Sequence, residues 1–108
     1  MTGSQVIQAL ENGVCKYPAL EGRFPCVSGV HFSFDPKLEP GSRVLSIHPS
    51  TITLRDGKTL LEREKVYRVV TKEYLSRGKD GYTIFLEGKI IDEDGMDLRT
   101  AIIEVRFK

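Results

Sequence analysis

The chain has 108 residues, 40% of them hydrophobic and 29% charged, with a formal net charge of +1. That length builds one domain with a real core and is too short for two. A balance this close to neutral gives no reason to expect a nucleic-acid groove or an anionic membrane surface, and no apolar run approaches the roughly 20 residues a membrane helix needs.

Thr2-Gly3-Ser4-Gln5 matches a capping box, a hydroxyl at the cap with Gln three residues on. Val6, Ala9, Leu10, Gly13, Val14 and Tyr17 then recur at helical spacing, which predicts a helix over residues 3–15, ended by Pro18. No signal-peptide pattern is expected, since Met1-Thr2-Gly3 leads straight into this helix. Gly22, Pro25 and Gly29 punctuate an ordered loop or edge segment. Val30, Phe32 and Phe34 alternate with polar residues and predict a strand with those three side chains on the core face. Residues 43–47 read as a second strand. Arg55-Asp56-Gly57-Lys58 separates the apolar runs 51–54 and 59–61, and its Asp-Gly predicts a two-residue hairpin turn. Residues 65–71 are apolar on both faces and read as a central, covered strand.

A short helical turn and then Gly78-Lys79-Asp80-Gly81-Tyr82 follow that strand. A loop at the carboxyl end of a strand is a common place for an α/β sheet to bind a ligand. Its glycines sit where the chain takes positive φ or passes close to something. Residues 82–85 fit strand or helix, 88–91 a short strand, and Asp92-Glu93-Asp94-Gly95 a polar turn. In the tail, Leu98, Ala101, Ile102 and Val105 fit a helix, while Ile103, Val105 and Phe107 fit a strand. Asp97, well placed as a cap, favours the helix. The elements together predict an α/β (α+β) domain, a mixed sheet with packed helices.

Side-chain chemistry is sparse. The two histidines, His31 and His48, have no second ligand at metal spacing. The acidic turn fails as a calcium loop, because the glycine at its sixth position is missing. No Ser or Cys sits in a nucleophile elbow or beside a histidine base, and no glycine-rich loop ends in Lys-Ser or Lys-Thr. Cys15 and Cys26 belong to no metal pattern; they either pair in an oxidising compartment or remain free thiols. Taken singly, Phe24 reads as a core plug, Tyr74 as packing, and Asp80 as a turn residue before glycine.

Residues 1–47 followed by KVYRVVTKEYLSRGKDGYTIF resemble the C-terminal domain of the 5'-nucleotidase and UDP-sugar hydrolase family. The resemblance runs to about Phe85. It implies an α/β unit that grips a nucleoside or nucleotide. The base would be sandwiched between Phe24, in the Gly-x-Phe segment, and Tyr74, in the segment before the loop. Asp80 would take the ribose hydroxyls, with Gly78 and Gly81 shaping its loop. Two positions depart from the family pattern: Lys79 replaces the second glycine of a pair, and Glu73 replaces an asparagine. Arg23, Arg77 and Lys79 are weaker candidates for phosphate or rim contacts. The resemblance also implies a separate N-terminal domain that holds two divalent metal ions and does the phosphate chemistry. None of its motifs is expected within these residues, so the chain reads as a fragment with no cofactor of its own, from a protein exported to the periplasm, cell surface or medium. The alternative is a stand-alone, non-catalytic binding or structural module.

Overall fold

A computed structural model of the chain describes residues 1–44, 52–88 and 104–107. Helix α1, Gly3–Val14, is the scaffold, and its first turn is fully partnered. The capping box closes in both directions: Gln5 N–H donates to Thr2 Oγ1 at 3.3 Å, and Thr2 N–H donates to Gln5 Oε1 at 2.9 Å. The N–H groups of Gly3 and Ser4 donate to the carbonyls of Lys65 and Arg63, each at 2.9 Å. Donors that a helix start leaves orphaned are thus satisfied by a segment far along the chain. The approach is so close that a Cβ on Gly3 would lie 2.0 Å from the Glu62 carbonyl oxygen.

The other end of α1 is held by a buried cation. Arg43 donates through Nη1 to the carbonyls of Val14 (2.8 Å) and Tyr17 (3.0 Å), and through Nε to that of Leu38 (2.9 Å). A guanidinium at this end matches the negative pole of the helix. Glu11 Oε1 in turn accepts the backbone N–H groups of Arg43 and Val44 at 2.9 and 3.0 Å. The strand expected over 43–47 does not start here, because these two amides are committed to the Glu11 carboxylate and the residues form a turn. Its remainder lies outside the described residues. So do His48, 89–91 of the expected short strand, the turn at 92–95 and the Asp97 cap.

Val6, Ala9, Leu10 and Val14 have 0% exposure and share one core with Val30, Ile52, Leu54, Leu61, Ile84, Phe85 and Phe107. Each fully buried aliphatic side chain contributes roughly 1.5–3 kcal/mol, which is what fixes the helix on the sheet.

Five short strands are described. β1 (Val27–Ser28), β5 (Glu104–Phe107) and β4 (Arg68–Thr71) form one mixed sheet in the order β1-β5-β4. β5 is antiparallel to β1 (Val27 opposite Phe107) and parallel to β4 (Val69 opposite Val105). β2 (Val30–His31) pairs antiparallel with β3 (Thr53–Leu54) in a second sheet. The loop-or-edge reading of residues 20–29 agrees with β1 lying at an edge of the described sheet. Regular strand geometry stops at His31, yet Phe32 and Phe34 still pack against the core, as their alternation predicts.

Three expectations are corrected. The tail is strand rather than helix over Glu104–Phe107, because β5 fills the gap between β1 and β4 and buries Phe107. β4 is not the covered strand that its two-sided apolar pattern predicts. β4 lies at the edge of the described sheet, with Val69 and Val70 only half-buried and Val66 exposed. The Asp-Gly hairpin forms but with four loop residues, closed by Leu54 N–H donating to the Thr59 carbonyl at 2.7 Å. Asp56 shapes this loop by accepting from the N–H groups of Lys58 and Thr59. Its Oδ2 also accepts from the Thr59 hydroxyl, and these bonds hold its carboxyl down at about 2.

After β4 the chain makes helix α2 (Glu73–Ser76), then a 3-10 turn at Lys79–Gly81 and another at Thr83–Glu87. The ambiguous 82–85 stretch is therefore helical, and it packs on α1.

Gly3→Ala separates helix propensity from packing. Propensity alone predicts a gain of about 1 kcal/mol. The contact with the Glu62 carbonyl predicts a loss of about 3 kcal/mol instead, since backbone cannot swing aside. Denaturant unfolding of the variant measures the sign.

Candidate functional site

The Gly78–Tyr82 loop takes a conformation that is strained at one residue. Gly78 (φ 81°) and Gly81 (φ 81°) are left-handed, and so is Asp80 (φ 55°, ψ 30°). Glycine adopts this region freely, whereas a residue with a Cβ gives up roughly 1–2 kcal/mol. Among the described residues, Asp80 alone of the non-glycines has positive φ. Backbone held in this way persists only where its surroundings enforce it, and such positions gather at binding sites.

The enforcement comes from α1 and from the Gly22–Pro25 loop. Asn12 Nδ2 donates to the Asp80 carbonyl at 3.0 Å. Arg23 Nη1 lies 3.4 Å from Asn12 Oδ1 and 3.4 Å from Cys15 Sγ, while Arg23 Nε donates to Glu21 Oε1 at 3.0 Å. The Tyr82 hydroxyl donates to the Arg23 carbonyl at 2.5 Å, across 59 residues of sequence. Two glycines make the approach possible. A Cβ on Gly13 would lie 2.9 Å from both Pro25 Cδ and Tyr82 Oη, and one on Gly81 would lie 2.5 Å from Asn12 Oδ1.

This scaffold brings Asp80, Tyr74 and Gly22 of the Gly-x-Phe segment together. A Cβ on Gly22 would sit 3.1 Å from Asp80 Oδ2, so the carboxylate lies directly over the backbone of the Gly-x-Phe segment. On its other side, the Tyr74 hydroxyl donates to Asp80 Oδ1 at 3.4 Å. Neither ring is locked in the interior: Phe24 is 37% exposed and Tyr74 56% exposed. Phe24 is propped by Tyr17 (centroids 6.0 Å apart) and Phe34 (6.4 Å), an aromatic cluster at the surface rather than a core plug. Tyr74 sits in α2, one residue before the buried Leu75 that anchors the helix. Gly78 has its missing Cβ replaced by the side chain of Leu86, whose Cδ1 would be 3.0 Å away.

The weaker candidates divide. Arg77 is ion-paired with Glu73, and Arg23 is engaged by Glu21 and Asn12, so both guanidiniums already serve the scaffold. Lys79 is exposed at the loop tip. Cys15 and Cys26 are free thiols, Cys15 half-buried and Cys26 exposed. His31 is exposed beside the Arg55 carbonyl. Among the described residues, no three His, Cys, Asp or Glu side chains gather as a metal-binding group; the two-metal centre that the resemblance implies belongs to a separate domain.

Sequence reasoning missed Asn12, Gly13 and the partner of Tyr82. The signal was present: Asn12-Gly13 puts two poor helix formers side by side inside an otherwise strong helix, a pattern that asks for a tertiary reason.

Tyr82 is 2% exposed, and burial first, then the nearby Asp80 charge, push its hydroxyl up to about 12 from the ordinary 10. Between those values the unfolded chain releases the proton and the folded chain keeps it, so stability falls as pH rises. The loss reaches about 2 kcal/mol by pH 12. Urea unfolding from pH 9 to 12 measures it, and Tyr82→Phe flattens the slope over that interval.

The profile of the family described as "5'-nucleotidase, C-terminal domain" matches residues 1–87. The trifunctional nucleotide phosphoesterase protein YfkN of Bacillus subtilis (strain 168) is 35% identical over 88 residues, covering 81% of this chain and 6% of that protein. A snake venom 5'-nucleotidase of Macrovipera lebetinus is 33% identical over 102 residues, covering 94% of this chain and 25% of its own length. Among solved structures, the crystal structure of the 5'-nucleotidase precursor from Thermus thermophilus superposes with a TM-score of 0.72 at 34% identity, over 82% of this chain and 17% of that one. The chain thus spans a quarter or less of the length of each of these relatives. Capping box, helix, β1, β4 and the glycine loop all fall within the matched span, and the chain belongs to the 5'-nucleotidase C-terminal domain family.

Proposed function

We propose that these residues form the substrate-binding part of a 5'-nucleotidase-type phosphohydrolase, taking the nucleoside end of a nucleotide. In this reading Phe24 and Tyr74 stack on the two faces of the base, and Asp80 accepts hydrogen bonds from the ribose hydroxyls. Gly78 and Gly81 give the loop the backbone turn that presents the carboxylate. The phosphate is then directed away from the slot, toward a metal-bearing catalytic domain encoded outside this sequence, in an exported protein like the venom relative. By this reading the 108 residues release no phosphate by themselves.

The observation that carries the proposal is the placement of Asp80. Its carboxylate lies against Gly22, two residues before Phe24, and within reach of the Tyr74 hydroxyl, and both the Phe24 and Tyr74 rings are open to solvent. An apolar packing role for the rings would bury them, and a plain turn would not need a left-handed aspartate held by a side chain from α1.

The expected affinity follows from the parts. Stacking a base on an aromatic ring contributes roughly 1–3 kcal/mol. A charge-assisted contact to a diol adds roughly 1.5–3 kcal/mol. After the cost of immobilising the ligand, dissociation constants of about millimolar to tens of micromolar are expected. Stacking accepts any π face, so base selectivity is loose.

Calorimetric titration of the purified chain with adenosine and AMP tests this. Saturable binding is expected, weakened about tenfold or more by Phe24→Ala or by Asp80→Asn. No heat of binding at several millimolar, with a folded chain, contradicts the slot.

A further inference from the structure

We infer that Asn12 is a positioning residue for the ribose contact: its side-chain amide holds the Asp80 main chain in the left-handed turn that aims the carboxylate, and joins that turn to the Phe24 loop. This rests on the nucleoside-slot reading above. The amide has only one orientation that satisfies both neighbours. Arg23 Nη1 can only donate and the Asp80 carbonyl can only accept, so Oδ1 must face the guanidinium and Nδ2 the carbonyl, as found at 3.4 and 3.0 Å. An asparagine here therefore bridges a donor on one loop and an acceptor on the other. No charged residue of similar size does so.

Position and shape agree with this role. Asn12 lies on α1, a helix anchored at both ends, so its amide has a fixed base. Gly81, next to Asp80, lacks a Cβ where one would meet Asn12 Oδ1 at 2.5 Å and Arg23 Nη1 at 2.9 Å. The Tyr82 hydroxyl makes a second, independent tie to the Arg23 carbonyl, which keeps the two loops together when Asn12 is altered. The effect of removing the Asn12 amide should accordingly fall on where Asp80 points, not on whether the loops meet.

Asn12→Asp is the sharpest test. It is nearly isosteric, keeps an oxygen for Arg23, and sets a second oxygen against the Asp80 carbonyl in place of the donor. Affinities for adenosine, 2',3'-dideoxyadenosine and adenine are measured on the full chain, with thermal melting to check the fold. In the unaltered chain adenosine is expected to bind more tightly than the dideoxy analogue. Asn12→Asp should shrink that ratio about three- to tenfold, the value of one hydrogen bond, while adenine affinity stays unchanged. Asn12→Ala, which removes the tether without adding charge, should move the ratio the same way. A ratio unmoved in both variants, or an equal loss for all three ligands, overturns the inference while leaving the slot intact. An unaltered chain that binds adenosine and its dideoxy analogue alike overturns the ribose contact itself, and the positioning role with it.

Discussion

Everything at this site depends on how closely two distant loops can approach one turn of α1. Gly13 gives them room: a Cβ there would lie 2.9 Å from both Pro25 of the first loop and the Tyr82 hydroxyl of the second. A glycine inside a helix costs about 1 kcal/mol relative to alanine. The cost is offset because its absence of side chain lets the Tyr82 hydroxyl reach the Arg23 carbonyl, and lets Asn12 beside it reach Asp80. The same helix is fixed at its start by the carbonyls of Arg63 and Lys65 and at its end by Arg43. The loops are therefore referred to one rigid element and not merely to each other.

That arrangement bears on binding through entropy. A slot assembled from two free loops would have to order them each time a ligand arrived, a cost that weak stacking cannot meet. In the proposed slot the ordering has been done in folding, by a buried helix, two tethers through Arg23 and a left-handed aspartate. Exposure divides the aromatic residues along the same line. Tyr82, Phe85 and Phe107 pack on one another in the interior, with centroids 5.3 to 6.0 Å apart, whereas Phe24 and Tyr74 stay at the surface.

The sequence is legible where local physics decides the outcome. The capping box and the apolar stripe of α1 are of this kind, as are the alternation of Val30, Phe32 and Phe34 and the glycines around Asp80. The failures share a cause. Residues 104–107 have both a helical and an alternating pattern, and only the vacancy between β1 and β4 chooses strand. The two-sided apolar character of residues 65–71 suggests a central, covered strand, yet Val66 is exposed, Val69 and Val70 are only half-buried, and in the described sheet β5, from far along the chain, stands between β4 and β1. The amides of Arg43 and Val44 are taken by Glu11, a side chain on a helix that no spacing rule connects to them. Within the proposed slot, the assignment of Phe24, Tyr74 and Asp80 comes from the family resemblance and not from local pattern. Asn12, Gly13 and the Tyr82–Arg23 tie were not legible, because contacts of 59 and 68 residues in sequence separation leave no periodic trace.

The central claim is that a base lies between the Phe24 and Tyr74 rings with the sugar beside Asp80. NMR of the chain with saturating adenosine tests it most directly. The account predicts ring-current upfield shifts of adenosine H2 and H8, nuclear Overhauser contacts from them to both aromatic rings, and perturbation of the Asp80 and Gly81 amides by the ribose. Contacts to one ring only, or perturbations gathered elsewhere on the surface, would contradict it.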